Sequence, residues 1–84
     1  MADFYKCKVV EAGANNGQVM MKLTELQAGA FKDVNFIARK DDQTAMLAVA
    51  LSAMSTGIPV ITQLEHTPLP NETPTISLLL LSTR

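Results

Sequence analysis

Asp41-Asp42-Gln43-Thr44-Ala45-Met46-Leu47-Ala48-Val49-Ala50-Leu51-Ser52-Ala53-Met54-Ser55-Thr56-Gly57-Ile58-Pro59 is the stretch on which the fold turns. Alanine, leucine and methionine dominate it, and these lose little freedom on entering a helix. Asp41 or Asp42 can accept bonds from the first free amides and so cap the start. Gly57 supplies a left-handed stop, and Pro59 bars continuation. The spacing predicts a helix over about 42–56. Met46, Leu47, Ala50, Leu51 and Met54 share a stripe at 100° per residue and are expected to cover the core. Ala45, Ala48, Val49, Ser52 and Thr56 lie opposite. No charged residue occurs from Thr44 to Thr56. A back of small uncharged residues is expected to lie against another chain, although alanine's helix propensity alone also accounts for it.

Upstream of the helix, three strands are predicted at about 3–11, 18–26 and 31–39. In the first, Tyr5, Cys7 and Val9 alternate with Lys6 and Lys8. In the second, Val19, Met21 and Leu23 alternate with Met20 and Lys22. Gly13-Ala14-Asn15-Asn16-Gly17 between them signals a hairpin turn. A two-residue Asn16-Gly17 turn would set Val9 opposite Thr24 and mix both faces. A three-residue loop, Asn15-Asn16-Gly17, sets Val9 opposite Leu23 and Lys8 opposite Thr24, and is preferred because the buried face dictates register. Val34, Phe36 and Ala38 give the third strand its inner face. Lys32-Asp33 disturbs its start, which suggests a bulge or a delayed beginning.

Downstream, a fourth strand is predicted at about 58–65 and a fifth at about 75–83. Thr67-Pro68-Leu69-Pro70-Asn71-Glu72-Thr73-Pro74 between them is a polar loop whose three prolines exclude it from a sheet interior. The run Leu78-Leu79-Leu80-Leu81 does not alternate. Both its faces are therefore expected to be covered, as in an inner strand or at a subunit interface.

The reading is an α+β chain, mostly β, with one helix between strands 3 and 4. This order, β-β-β-α-β-β, resembles the OB-fold, a five-stranded Greek-key barrel, and is similar to the B subunits of bacterial AB5 toxins. The resemblance implies a five-stranded antiparallel barrel or strongly curved sheet, a tendency to oligomerise, and ligand binding through loops. It covers nearly the whole chain in topology and rests on no shared motif. The cysteine pair and signal peptide of secreted toxin subunits are missing. An open antiparallel sheet with the helix on one face has the same element order.

Composition narrows the function classes. The 84 residues suffice for one domain with a limited core. Hydrophobic residues are 48% and charged residues 18%, against about 25% charged in an ordinary domain. A small domain with so little charge is expected to cover part of its surface with another chain, the oligomer being the preferred reading; the alternative is a bland surface of Ser, Thr, Gln and Asn. Cys7 is the only cysteine and His66 the only histidine, which excludes disulfides and cysteine-based metal sites. Net charge is -1, so no global basic field draws nucleic acid or an anionic membrane. No signal-like start or membrane-length apolar run occurs, and a cytoplasmic location is expected.

Candidate chemistry is sparse. Cys7 and His66 would make a nucleophile and base only if folding joined them, and Cys7 reads as a buried, inert thiol. Glu65-His66 supplies too few ligands for a metal. Glu11 and Glu25 flank Lys22 and are expected to form cross-strand surface pairs. Asn71-Glu72-Thr73 matches the glycosylation sequon and reads as chance, with Pro74 following and no secretory signal. Lys6, Lys8 and Lys22 share a face, the electrostatic part of a single-strand platform, but exposed aromatics for stacking are not expected. Asn15, Asn16 and His66 are loop positions suited to a small polar ligand. Ala45, Ala48, Val49, Ser52, Thr56, Leu79 and Leu81 are the expected oligomer interface. The expected function is a non-enzymatic, self-associating module that binds a small ligand or a protein partner, without catalytic residues, metal or cofactor. The alternative is an oligonucleotide- or glycan-binding module of OB type.

Overall fold

The computed structural model describes residues 3–64, 66–68, 72–76 and 78–82. Alternation in the first half of the chain becomes three consecutive strands: β1 (Asp3–Asn15), β2 (Gln18–Glu25) and β3 (Val34–Ala38). The inner face carries Cys7 and Val9 from β1, Val19, Met21 and Leu23 from β2, and Phe36 and Ala38 from β3, all buried. Helix α1 (Gln43–Thr56) follows, then β4 (Val60–Leu64), β5 (Thr75–Ile76) and β6 (Leu79–Leu81). The sheet has six strands in the order β5-β3-β2-β1-β4-β6. It curls into a half-barrel, and α1 packs mainly on β1 and β6.

The β1–β2 register is the expected one, reached by a different route. Val9 pairs with Leu23 and Lys8 with Thr24. Yet the turn is the two-residue one: Asn15 pairs with Gln18, and Asn16 and Gly17 both hold positive φ, 53° and 78°, as a type I′ hairpin requires. The missing residue is taken up at Val10, where β1 bulges between Val9 and Glu11. A bulge places two residues opposite one and sharpens the local twist. The hairpin thus keeps its favoured turn and its buried face together.

The third strand begins later than residue 31. Asp33 adopts φ 52°, outside the extended region, and its amide donates to Thr24 Oγ1 at 2.9 Å. Phe31 still reaches the core, with its ring 5.7 Å from Tyr5 and 5.5 Å from Phe36.

The fifth predicted strand is two strands, and the sheet is not purely antiparallel. Thr75–Ile76 pairs parallel with β3, and Leu79–Leu81 pairs antiparallel with β4. One short segment therefore bonds to two different neighbours. Between them Leu78 offers its carbonyl to the buried Thr62 hydroxyl at 2.9 Å, so this residue serves a side chain rather than a ladder. β3 and β4 occupy opposite sides of the strand order, and a seven-residue stretch can touch both only because the sheet curls.

The helix starts without the expected aspartate cap. A single 3₁₀ turn at Lys40–Asp42 leads into it, and no side chain bonds its first amides. Asp41 and Asp42 instead sit 3.6 and 4.0 Å from the Arg39 guanidinium. The stop is as read: Gly57 is left-handed, and its amide donates to the Ala53 carbonyl at 2.8 Å. The core-facing stripe is Met46, Ala50 and Ala53, with Leu47 and Val49 packed beside it. Leu51 and Met54, expected inside, are 50% and 43% exposed. The small residues Ala50 and Ala53 let the helix lie close to the sheet, which turns the larger Leu51 and Met54 outward.

Candidate binding surfaces

On the outward face of β1, Phe4, Lys6 and Lys8 recur every second residue. Their cross-strand neighbours are Gln63, Ile61 and Thr24. Phe4 is 66% exposed, so an exposed aromatic that the sequence reading denied stands in line with two lysines. Its position near the start of the chain, beside residues that alternate correctly, was the only signal. Lys22 lies on the same face of β2, opposite Glu11, and pairs with that carboxylate at 3.3 Å. Its charge is therefore partly neutralised, whereas Lys8 forms no ion pair among the described residues.

Glu25 does not join the surface pairs. It is buried opposite Cys7, and its carboxylate accepts the amides of Gln27, Ala28 and Ala30 at 2.8, 2.8 and 3.0 Å. These bonds, that from Ala30 first, hold its pKa below the usual carboxylate range against the opposing effect of desolvation. The Leu26–Ala30 connection is thus wound around one acid, with Gly29 left-handed within it. The loop's far end is tied by Glu25 N–H donating to Phe31 O at 3.0 Å, and Leu26 N–H donates to Lys6 O at 2.9 Å. Burial, with Glu25 nearby, pushes the Cys7 thiol up to about 12. At neutral pH it is a protonated, inaccessible core group.

The two expected ligand loops lie apart. Asn15 and Asn16 sit at the tip of the β1–β2 hairpin and are exposed. His66 comes two residues after Leu64, which pairs with Asp3 at the other end of β1. There Tyr5 Oη lies 3.2 Å from Thr67 Oγ1, and His66 Nε2 lies 3.9 Å from Glu72 Oε2. Cys7 and His66 are not drawn into a pair by any contact among the described residues. Glu65 and Asn71 lie outside the described residues. No group of three or more His, Cys, Asp or Glu able to hold a metal occurs among the described residues.

Of the expected interface positions, Ala45, Ala48, Ser52 and Thr56 are exposed on α1. Val49 instead packs against the core. The leucine run is not covered on both faces: Leu79 is buried, while Leu80 and Leu81 are 51% and 42% exposed. Among the described residues, depressions lie on either side of the α1 C-terminal half, at Met54. One, of about 500 Å³, lies along the hairpin beside Glu11, Lys22, Asn35 and Met54. Another, of about 340 Å³, lies at the helix C-terminus beside Lys8, Leu26 and Ile58.

No known protein-family model matches the chain, and no curated protein matches it in sequence. No helix among the described residues is long and apolar enough to cross a membrane.

Proposed function

We propose that the chain is a non-enzymatic, self-associating module of OB type. The strand pairings support the OB-like part: one terminal segment meets β3 in parallel and β4 antiparallel, as closure of a small Greek-key barrel demands. One observation carries the self-association. The outward side of α1 bears Leu51 and Met54 among Ala45, Ala48, Ser52 and Ser55, with no charge anywhere from Gln43 to Thr56. A solvated helix normally carries charges on that side. A second copy can approach this one without desolvating an ion, and in symmetric association the patch meets itself. Light scattering on a sizing column is the test. The wild-type chain should elute at a multiple of 9.1 kDa, and Leu51→Glu should return it to one chain while leaving the fold intact. A wild-type monomer, or a Leu51→Glu protein of unchanged mass, rejects the proposal.

A second reading, an oligonucleotide-binding surface, is favoured by the exposed Phe4 in register with Lys6 and Lys8. Stacking of one base contributes about 1–3 kcal/mol. Phe4→Ala should therefore weaken single-stranded DNA binding by roughly fivefold to 150-fold, and Lys8→Ala should reduce its salt dependence. A flat fluorescence-anisotropy titration at low salt removes this reading.

A further inference from the structure

We infer that the crevice between the C-terminal turn of α1 and β1 is a binding site for a small amphipathic carboxylate, with the carboxylate at Lys8 and the apolar body along the helix end. The crevice measures about 340 Å³, near the lower end of ligand pockets, which span about 300–1,000 Å³. Leu26, Ala53, Met54, Ile58 and Pro59 give it apolar walls, and Lys8 is its one charged group. Leu26 and Met54 both present large exposed apolar surface there.

The sign and orientation follow from what surrounds the lysine. Lys8 has Thr24 opposite it in the ladder and Lys6 two residues along the same face. The nearest acid in the sequence on the neighbouring strand, Glu25, points inward and is occupied by three backbone amides. Asp33 accepts the Thr24 hydroxyl at 3.0 Å and makes no ion pair with Lys8 among the described residues. Glu11, the acid further along β1, is engaged by Lys22 at 3.3 Å, and Lys8 forms no ion pair among the described residues, so its charge is open to an added carboxylate. At the other end stand the last carbonyls of α1, which carry partial negative charge and repel an anion. The Ala53 carbonyl is already taken by the Gly57 amide at 2.8 Å. An apolar tail fits that end and a carboxylate fits the lysine end; the reverse orientation sets the carboxylate against those carbonyls and covers the lysine with a group that cannot pair with it. Loop Leu26–Ala30, wound on Glu25, fixes the wall formed by Leu26, so the crevice is built before any ligand arrives.

All walls belong to one chain, and Met54 is shared with the helix patch proposed for self-association. The test is methyl NMR on the full chain titrated separately with octanoate, octanol and acetate, below their aggregation limits. Octanoate should shift the methyls of Val9, Leu26, Met54 and Ile58. It should bind roughly tenfold tighter than octanol, the increment of one charge-assisted contact, and acetate should leave these methyls unmoved. Lys8→Gln, an exposed substitution, should equalise octanoate and octanol without changing the molecular mass. Equal affinity for octanoate and octanol in the wild type, no shift at those methyls, or unchanged selectivity in Lys8→Gln overturns the inference. Shifts that follow dilution of the protein rather than added octanoate also overturn it, because the crevice would then be filled by a second copy.

Discussion

Glu25 is the residue whose environment departs furthest from what its type suggests. A carboxylate placed on the inner face of a strand should be a liability, since burial favours its neutral form. Three backbone amides converge on it instead, and its pKa falls. The direction of the pH effect follows. Folded Glu25 holds its charge to lower pH than unfolded Glu25 does, so its contribution is complete above about pH 4.3, the unfolded value. It is lost as pH falls through the folded value. Urea denaturation at pH 6 and pH 3 should show a drop in stability that Glu25→Gln largely removes. At pH 6 that variant should be less stable than wild type, because a neutral amide places an NH₂ against amide donors. Equal slopes with pH for both proteins would show that other carboxylates govern the acid limb. None of this was legible beforehand. Glu25 reads as the polar end of an alternating strand beside Lys22, and nothing in Leu26-Gln27-Ala28-Gly29-Ala30 announces that its amides turn inward.

The elements divide by how local their causes are. The helix and its stop were legible because propensity, Gly57 and Pro59 act within a few residues. Its orientation was not. Periodicity admits two neighbouring stripes, and the close approach of Ala50 and Ala53 to the sheet, a tertiary fact, selects the one that exposes Leu51 and Met54. The hairpin shows the same division. Hydrophobic alternation gives the register, Val9 to Leu23, but the three-residue loop inferred from it is not the one formed: the turn is the two-residue Asn16-Gly17 one. The two conflict by one residue, and only the Val10 bulge reconciles them. Deleting Val10 should therefore leave both pairings in place, Val9 with Leu23 and Glu11 with Lys22. Cross-strand Hα–Hα contacts by NMR should persist, with a stability change on the order of 1 kcal/mol. Deleting Ala12 instead should disturb the pairs beyond the bulge. Loss of the Val9–Leu23 contact in the Val10 deletion would mean that the bulge sets the register rather than absorbing it.

For the whole molecule, the decisive feature is the segment Thr75–Leu81. Read in sequence it is one strand with four leucines, and no local signal tells that its ends serve different neighbours. The Ile37 and Arg39 amides donate to Pro74 and Ile76 carbonyls at 2.9 Å, and Ser82 donates to Pro59 at 2.8 Å. These bonds lie on β3 and β4, on opposite sides of the strand order, yet depend on one stretch of chain. Native-state hydrogen exchange should show Ile37, Arg39 and Ser82 opening with a common free energy and a common denaturant dependence. Protection of Ile37 that outlasts that of Ser82 would show the two ends acting separately. Among the candidate surfaces, the lysine face was legible from alternation, whereas the helix-end crevice was not. Its walls come from β1, the loop after β2 and the end of α1, which meet only once the sheet has curled.

That same segment also sets the order in which the chain can fold. The β1–β2 hairpin and α1 need only neighbours in sequence and can form within microseconds. Thr75–Leu81 has no partner until β3 and β4 have both arrived, and joining it to β3 closes a loop of nearly forty residues. The slow step of folding is therefore the arrival of this segment, and until then the uncovered inner faces and the leucines are open to aggregation. Substitutions that weaken its contacts should therefore slow folding as well as speed unfolding, as expected for a part whose docking is itself the barrier.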